Sequence, residues 1–290
     1  MYAKFNQLRQ AIAPILLAAL LGLTILSTSA LASERASGQM HVSYSTAALD
    51  AEPGQFVLAA NAQMLERALE NGRNSGFIYY GATVEAVEEL ESTLRNLAGR
   101  SFSIPNAMIL PIEGGHQAQV GDVLLGRWES GSGLRRAIVI GGEPDQPLVR
   151  YLDRAFERDQ ADGQREDHLR PGRFMALTDA WQLGSTIACR NRNQHAYGIL
   201  VHDAGDEILG LFHAGRLEPQ SRADCIGIPP RQSFEVGDAV HVPGPSGNFL
   251  AGTVTEVEPG IGRVWVSYSF ANREREMAFS VVDVATGLNP

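Results

Sequence analysis

The sequence predicts a mainly β protein: tandem small antiparallel barrels, preceded by a short α/β segment and an N-terminal export signal. Three observations predict it. After residue 118, apolar residues recur at every second position in short runs, which is strand periodicity. Glycine and proline turns separate those runs at spacings that suit small sandwiches or barrels. An opening motif also recurs, at Val120-Gly121-Asp122 and Val236-Gly237-Asp238, with the related Leu183-Gly184-Ser185 between them.

The chain begins with Lys4 and Arg9, continues through an apolar run from Ala11 to Leu26, and reaches Ala30-Leu31-Ala32. A positive start, an apolar middle and a small-x-small end predict a signal peptide over residues 1–32, cut after Ala32. The run is short for a membrane span of about 20 apolar residues, and Pro14 interrupts it; an uncleaved anchor is the alternative. The expected location is periplasmic or secreted, with no stable membrane span left after cleavage. Lys4 is the sole lysine, and the net charge of −9 becomes more negative once Lys4 and Arg9 are removed. No basic stretch is interleaved with aromatics. An acidic chain repels phosphate backbones, which argues against nucleic acid and anionic lipid surfaces as partners.

Residues 33–55 read as a flexible leader, with a short strand at Met40 to Tyr44. Residues 56–117 read as the α/β segment. Asn61 to Glu70 predicts a helix closed by Asn71-Gly72, and Phe77 to Tyr80 a short strand. Thr83 then caps an expected second helix, because Val84, Val87, Leu90, Leu94 and Leu97 fall at helical spacing and Gly99 follows.

The remainder divides into units at 118–178, 179–228 and 229–290. Each opens on a turn in which glycine supplies the bend and the acid bonds the turn's own backbone. A second strand follows (Ala137 to Ile140, Tyr197 to Val201, Ala251 to Val257), then a third (Leu148 to Leu152, Ile208 to Phe212, Val264 to Phe270). The charged stretch 154–171 reads as a surface insertion in the first of these units, before a strand at Phe174 to Leu177. The third unit carries Gly237-Asp238-Ala239-Val240, Ala251-Gly252-Thr253-Val254 and Val264-Trp265-Val266-Ser267-Tyr268; the first carries Gly121-Asp122-Val123-Leu124, Ala137-Ile138-Val139 and Val149-Arg150-Tyr151. In this the units resemble SH3-like barrels of the Tudor or agenet kind, the middle one departing by Ser185 in place of the acid. The resemblance implies small SH3-like barrels, and units of this length have room for four or five strands. The aromatic cage by which such barrels hold methylated Lys or Arg is not carried over, since no single unit shows a complete set of cage aromatics.

Cys189 and Cys225 form an even pair, and in an oxidising compartment they are expected to be joined. Closing that loop stabilises the fold by roughly 4 kcal/mol on the chain-entropy model.

No catalytic motif emerges. A G-x-S-x-G elbow and a Walker loop are missing, Gly131-Ser132-Gly133 reads as a hairpin turn, and Gly260-Ile261-Gly262 lacks the third glycine of a dinucleotide fingerprint. The seven histidines include no His-x-x-x-His pair. The sequence therefore nominates no catalytic residue, metal ligand or cofactor. It predicts a non-catalytic binding or scaffold protein of the cell envelope, with a protein, peptide or cell-wall ligand. The alternatives are an assembly protein without a dedicated pocket and a periplasmic hydrolase whose residues meet only in three dimensions. Candidate ligand contacts are Trp265 with Arg263, on the polar face of the strand that buries Val264, Val266 and Tyr268, and Trp128 with Arg127 at the end of the strand from Val123. Tryptophan offers broad apolar area with one donor. The competing roles are packing against a neighbouring unit for Trp265, a lid on its own barrel for Trp128, and packing between domains for Trp181.

Overall fold

A computed structural model of the chain describes residues 48–72, 74–129, 133–153 and 166–288. The signal peptide, the leader up to residue 47, the Gly131-Ser132 turn and most of the charged insertion lie outside the described residues.

Four small antiparallel sheets follow one another. The first contains β1 (Phe56–Ala60), β2 (Tyr79–Val87), β3 (Glu91–Asn96), β4 (Ser101–Pro105) and β5 (Ile109–Pro111). The second contains β6 (Val123–Arg127), β7 (Leu134–Glu143), β8 (Gln146–Tyr151), β9 (Glu166–His168) and β10 (Phe174–Ala176). The third contains β11 (Thr186–Asn191), β12 (Gln194–Asp203), β13 (Glu207–Phe212), β14 (Arg216–Ser221) and β15 (Cys225–Ile228). The fourth contains β16 (Ala239–Pro243), β17 (Phe249–Glu258), β18 (Arg263–Phe270) and β19 (Arg273–Ser280). In each of the first three, four strands meander and the fifth returns to pair with the first. The fourth repeats this in short form: after β19 the chain comes back so that Ala285 bridges His241 of β16.

One turn opens every sheet. Gly54, Gly121, Gly184 and Gly237 have φ between +90° and +100°, a region costly for residues with a Cβ. Their amides donate to Val84, Val139, Leu200 and Val254 in the second strand, at 2.7–2.9 Å. The next residue's carbonyl then accepts from that same second-strand residue: Gln55 from Val84, Asp122 from Val139, Ser185 from Leu200, Asp238 from Val254. Immediately afterwards each second strand carries a β-bulge, at Val84/Ala86, Val139/Gly141, Leu200/His202 and Val254/Glu256. The bulge bends a long strand so that it can serve both halves of a small curled sheet.

The helix expected from Asn61 forms as α1 (Ala62–Asn71), inserted between β1 and β2. Asn61 Oδ1 accepts from the Gln63 amide at 2.9 Å, and Gly72 ends the helix at φ 63°. The second expected helix does not form. Residues 79–96 are the β2–β3 hairpin, in which Val84 and Leu94 are direct cross-strand partners. These two are buried, whereas Val87, Leu90 and Leu97 are exposed. The buried Asn106 fixes the hairpin loop: its Nδ2 donates to the carbonyls of Glu88 and Glu89, and its Oδ1 accepts from Ser92 Oγ at 2.6 Å. Helical spacing is present, but it joins the buried cross-strand pair Val84 and Leu94 to three exposed residues.

The main core is common to all four sheets. It joins Leu58 and Leu94 of the first, Ile138 and Leu152 of the second, Val201 and Leu209 of the third, and Val264 and Val282 of the fourth. Smaller clusters lie under the second and third sheets, the latter containing Cys189 and Cys225, and another joins Ala188 and Ile228 of the third sheet to Phe249 and Ala285 of the fourth. Those two are register partners on β11 and β15 and are joined by a disulfide. Among the described residues, no helix is long and apolar enough to cross a membrane.

Candidate functional site

Arg136 is the largest fully buried side chain and lies in β7, where its neighbours Ala137, Ile138 and Val139 are apolar core. A guanidinium there must find partners for its donors, since burying an uncompensated charge is costly. It finds them on three sheets. Nε donates to Asp153 Oδ1 at 2.9 Å, just after β8. Nη1 donates to Thr186 Oγ1 on β11, and the Thr186 hydroxyl in turn donates to the Val282 carbonyl at 2.6 Å. Nη2 reaches Asp153 Oδ1, Tyr197 Oη on β12 at 2.9 Å and Asp283 Oδ1 at 2.6 Å. Tyr197 in turn donates to Asp283 Oδ1 at 2.9 Å.

Burial opposes the Arg136 charge, but Asp153 and Asp283 outweigh it and hold the guanidinium protonated well above its ordinary range. Burial drives the Tyr197 hydroxyl well above its usual value, against the pull of Arg136. Burial also raises the Asp283 carboxyl, again opposed by Arg136. One guanidinium thus faces the carboxyl groups of both Asp153 and Asp283.

The two acids open onto a cavity of about 480 Å³ where all four sheets meet. Phe77 and Tyr79 line it from the first sheet, Leu152 and Asp153 from the second, Tyr197 and Leu211 from the third, and Phe279 and Asp283 from the fourth. Such a cavity, apolar-walled with a few convergent polar groups, has the size and character of a small-ligand site. Ser280 lines it too, but its Oγ accepts from the Val282 amide, and among the described residues no histidine lines the cavity. Among the described residues, the lining offers binding groups and no paired nucleophile and base.

The four residues nominated from sequence fall in two other clusters. Trp128 is half-buried, packs edge-to-face on Tyr151 with ring centroids 6.2 Å apart, and lies under the Arg135 guanidinium at 5.4 Å. Arg127 pairs with Glu129 at 3.1 Å, beside it. Arg135 also lines the central cavity, so the Trp128 cluster adjoins the rim. In the fourth sheet, Glu258 holds both other residues: Arg263 by a fork at 2.7 and 2.8 Å, and Trp265 Nε1 at 2.9 Å. Those bonds to Arg263 lead the effects that lower the Glu258 carboxyl, and Arg150 of the second sheet adds to them. Trp265 is 8% exposed. Trp181, expected between domains, packs on the core of its own third sheet under the Arg222 guanidinium at 4.2 Å. Arg136, Tyr197 and Asp283 were not nominated from sequence. The adjacent pair Arg135-Arg136 at the start of the apolar run of β7 was the one available signal.

No protein-family model and no curated protein matches the chain. Among solved structures it is similar to the four MBT repeats of Drosophila melanogaster Sfmbt in complex with a peptide, RHR (me)K VLR. The identity is 8%, over 81% of this chain and 88% of that one, with a TM-score of 0.16. A superposition that loose transfers neither fold detail nor ligand.

Proposed function

We propose that this is an exported, non-catalytic binding protein built from four SH3-like barrels, and that its ligand occupies the central cavity. The strand order and the opening turn repeated in every sheet support the barrel reading. Signal-like residues at the N-terminus support export, and the buried disulfide is compatible with it. One observation carries the binding reading. A cavity of about 480 Å³ lies at the convergence of all four sheets, with apolar walls and an ordered cluster of acid, phenol and guanidinium at its edge. A protein or peptide side chain, or a fragment of cell-wall material, has the size to enter it. Trp128, Arg127, Arg263 and Trp265 then act around the rim and the seams between units.

The test uses the secreted form as bait against envelope extract, beside an Ile199→Trp variant that fills the cavity. The expected result is a captured partner that the filled variant loses while retaining the wild-type circular dichroism. Equal capture by both proteins overturns the cavity as the binding site. Mass spectrometry of the bait should give Ser33 as its first residue; an intact Met1 removes the export reading.

A further inference from the structure

We infer that the cavity selects a neutral amide on an aliphatic stem, the chemistry of an apolar residue within a peptide; this rests on the binding reading above. Charge balance sets the first requirement. Asp153 and Asp283 line the cavity and both pair with Arg136, which lies behind its wall. Arg135 lines the cavity itself and, among the described residues, joins no ion pair. Two bases thus stand against two acids. A ligand with a formal charge of either sign would leave that charge uncompensated, beside acids only 10% and 14% exposed. A neutral ligand leaves the balance intact.

An orphan donor sets the second requirement. The Arg135 guanidinium stacks on Trp128 at 5.4 Å, and its Nη1 donates to the Leu134 carbonyl at 3.1 Å. Its Nε is buried and, among the described residues, has no hydrogen-bond partner. A buried N–H without an acceptor is costly, and a ligand that brings one removes that cost. The Tyr197 hydroxyl is already engaged, donating to Asp283 at 2.9 Å. A neutral carbonyl meets both requirements, and an amide oxygen is a stronger acceptor than an ester or ether oxygen. The walls set the stem. Leu152, Ile199, Leu211 and Phe279 offer apolar surface to a hydrocarbon chain and no partners for the hydroxyls of a sugar. Ile78 and Met277 also line the cavity and are 37% and 45% exposed. They mark where it reaches solvent, so an apolar side chain can enter while the backbone that bears it stays at the rim beside Arg135.

The experiment titrates N-butylacetamide into the full secreted protein and follows the methyl NMR signals of Ile199 and Leu211. Parallel arms at matched ionic strength use n-butylammonium, pentanoate, N-acetylglucosamine and N-butylthioacetamide, whose sulfur is the poorer acceptor in the same shape. Saturable shifts are expected with N-butylacetamide. The two ions and the sugar should bind roughly tenfold or more weakly, and the thioamide about threefold or more weakly. Arg135→Met keeps an apolar stem and removes the donor, so it should bind the amide and the thioamide alike. Should Arg135→Met not fold, the thioamide arm on the wild-type protein reads the same hydrogen bond. Ile199→Trp, read at Leu211, should abolish the shifts. Equal binding of either ion, the sugar or the thioamide, absence of saturable shifts, or an unchanged preference for the amide in Arg135→Met each overturns the amide reading. If that happens while Ile199→Trp still loses its envelope partner, the cavity remains the binding site and only the class of its ligand fails.

Discussion

At the scale of single residues, Arg136 carries more of the architecture than any other side chain. It is the hub through which the second, third and fourth sheets share hydrogen bonds. Replacing a buried ion cluster by apolar groups of equal volume can be neutral, but removing one member strands the rest. Arg136→Ala leaves Asp153 and Asp283 without their countercharge and should cost about 3–5 kcal/mol. It would be measured as a fall in the urea midpoint at unchanged slope. A loss below about 1 kcal/mol would mean that water entering the cavity, and not the guanidinium, solvates the two acids. The sequence could not announce this cluster. Arg136, Thr186, Tyr197 and Asp283 belong to three different units, and no local spacing links residues that meet only when sheets dock. By contrast, the proximity of Trp265 and Arg263 is local, because they are two apart in the chain and share one strand face. The sequence did not reveal that Glu258, across a hairpin, engages both of them.

At the scale of elements, what was readable depended on whether the deciding contact was local. α1 was legible because its cap Asn61 and its terminator Gly72 are its own neighbours. The second and third strands after residue 118 were legible because their period of two belongs to each strand. The β2–β3 hairpin was misread because its deciding contact, Asn106 on the loop carbonyls, comes from ten or more residues downstream. The first sheet's kinship with the others was missed for a related reason. Its opening turn has Gln55 where Asp122 and Asp238 stand, yet Gln55 Oε1 accepts from the Glu52 amide at 3.0 Å as Asp122 does from Gln119 and Asp238 from Glu235. The turn itself can be tested. At Gly121 and Gly237 an added Cβ meets nothing within 4 Å, so only the positive φ opposes it. Gly121→Ala and Gly237→Ala should each cost about 1–2 kcal/mol. Gly142, also at positive φ, would place a Cβ 2.4 Å from the Leu148 amide nitrogen. Gly142→Ala should therefore destabilise clearly more than either turn variant in chemical denaturation. Equal losses at all three positions would refute the view that the opening turns are strained by backbone conformation alone.

At the scale of the whole molecule, the four sheets behave as one cooperative body on physical grounds, despite their bead-like order in sequence. The largest core is shared by all of them, and backbone hydrogen bonds cross their seams. Gly76 and Phe77 donate to Ala214 and Gly215 at 2.9 Å, tying the first sheet to the third, and Tyr197 donates to Gly247 at 2.8 Å, tying the third to the fourth. A unit removed from this arrangement exposes apolar surface that its own small cluster cannot replace. The Cys189–Cys225 disulfide, although it closes a loop of only 36 residues within the third sheet, should then stabilise everything at once. The Cys189→Ala/Cys225→Ala protein loses the restriction on its unfolded chain, about 4 kcal/mol on the entropy model. Because the third sheet touches both neighbours and the Arg136 cluster, that loss should move a single transition to lower denaturant, with near- and far-ultraviolet circular dichroism still coincident. If the third sheet were an independent bead, the same variant would instead split the curve, one early step reporting that sheet and an unshifted step reporting the rest. The coincidence of the two probes in the variant therefore measures directly whether docking between units or folding within them dominates the stability of the chain.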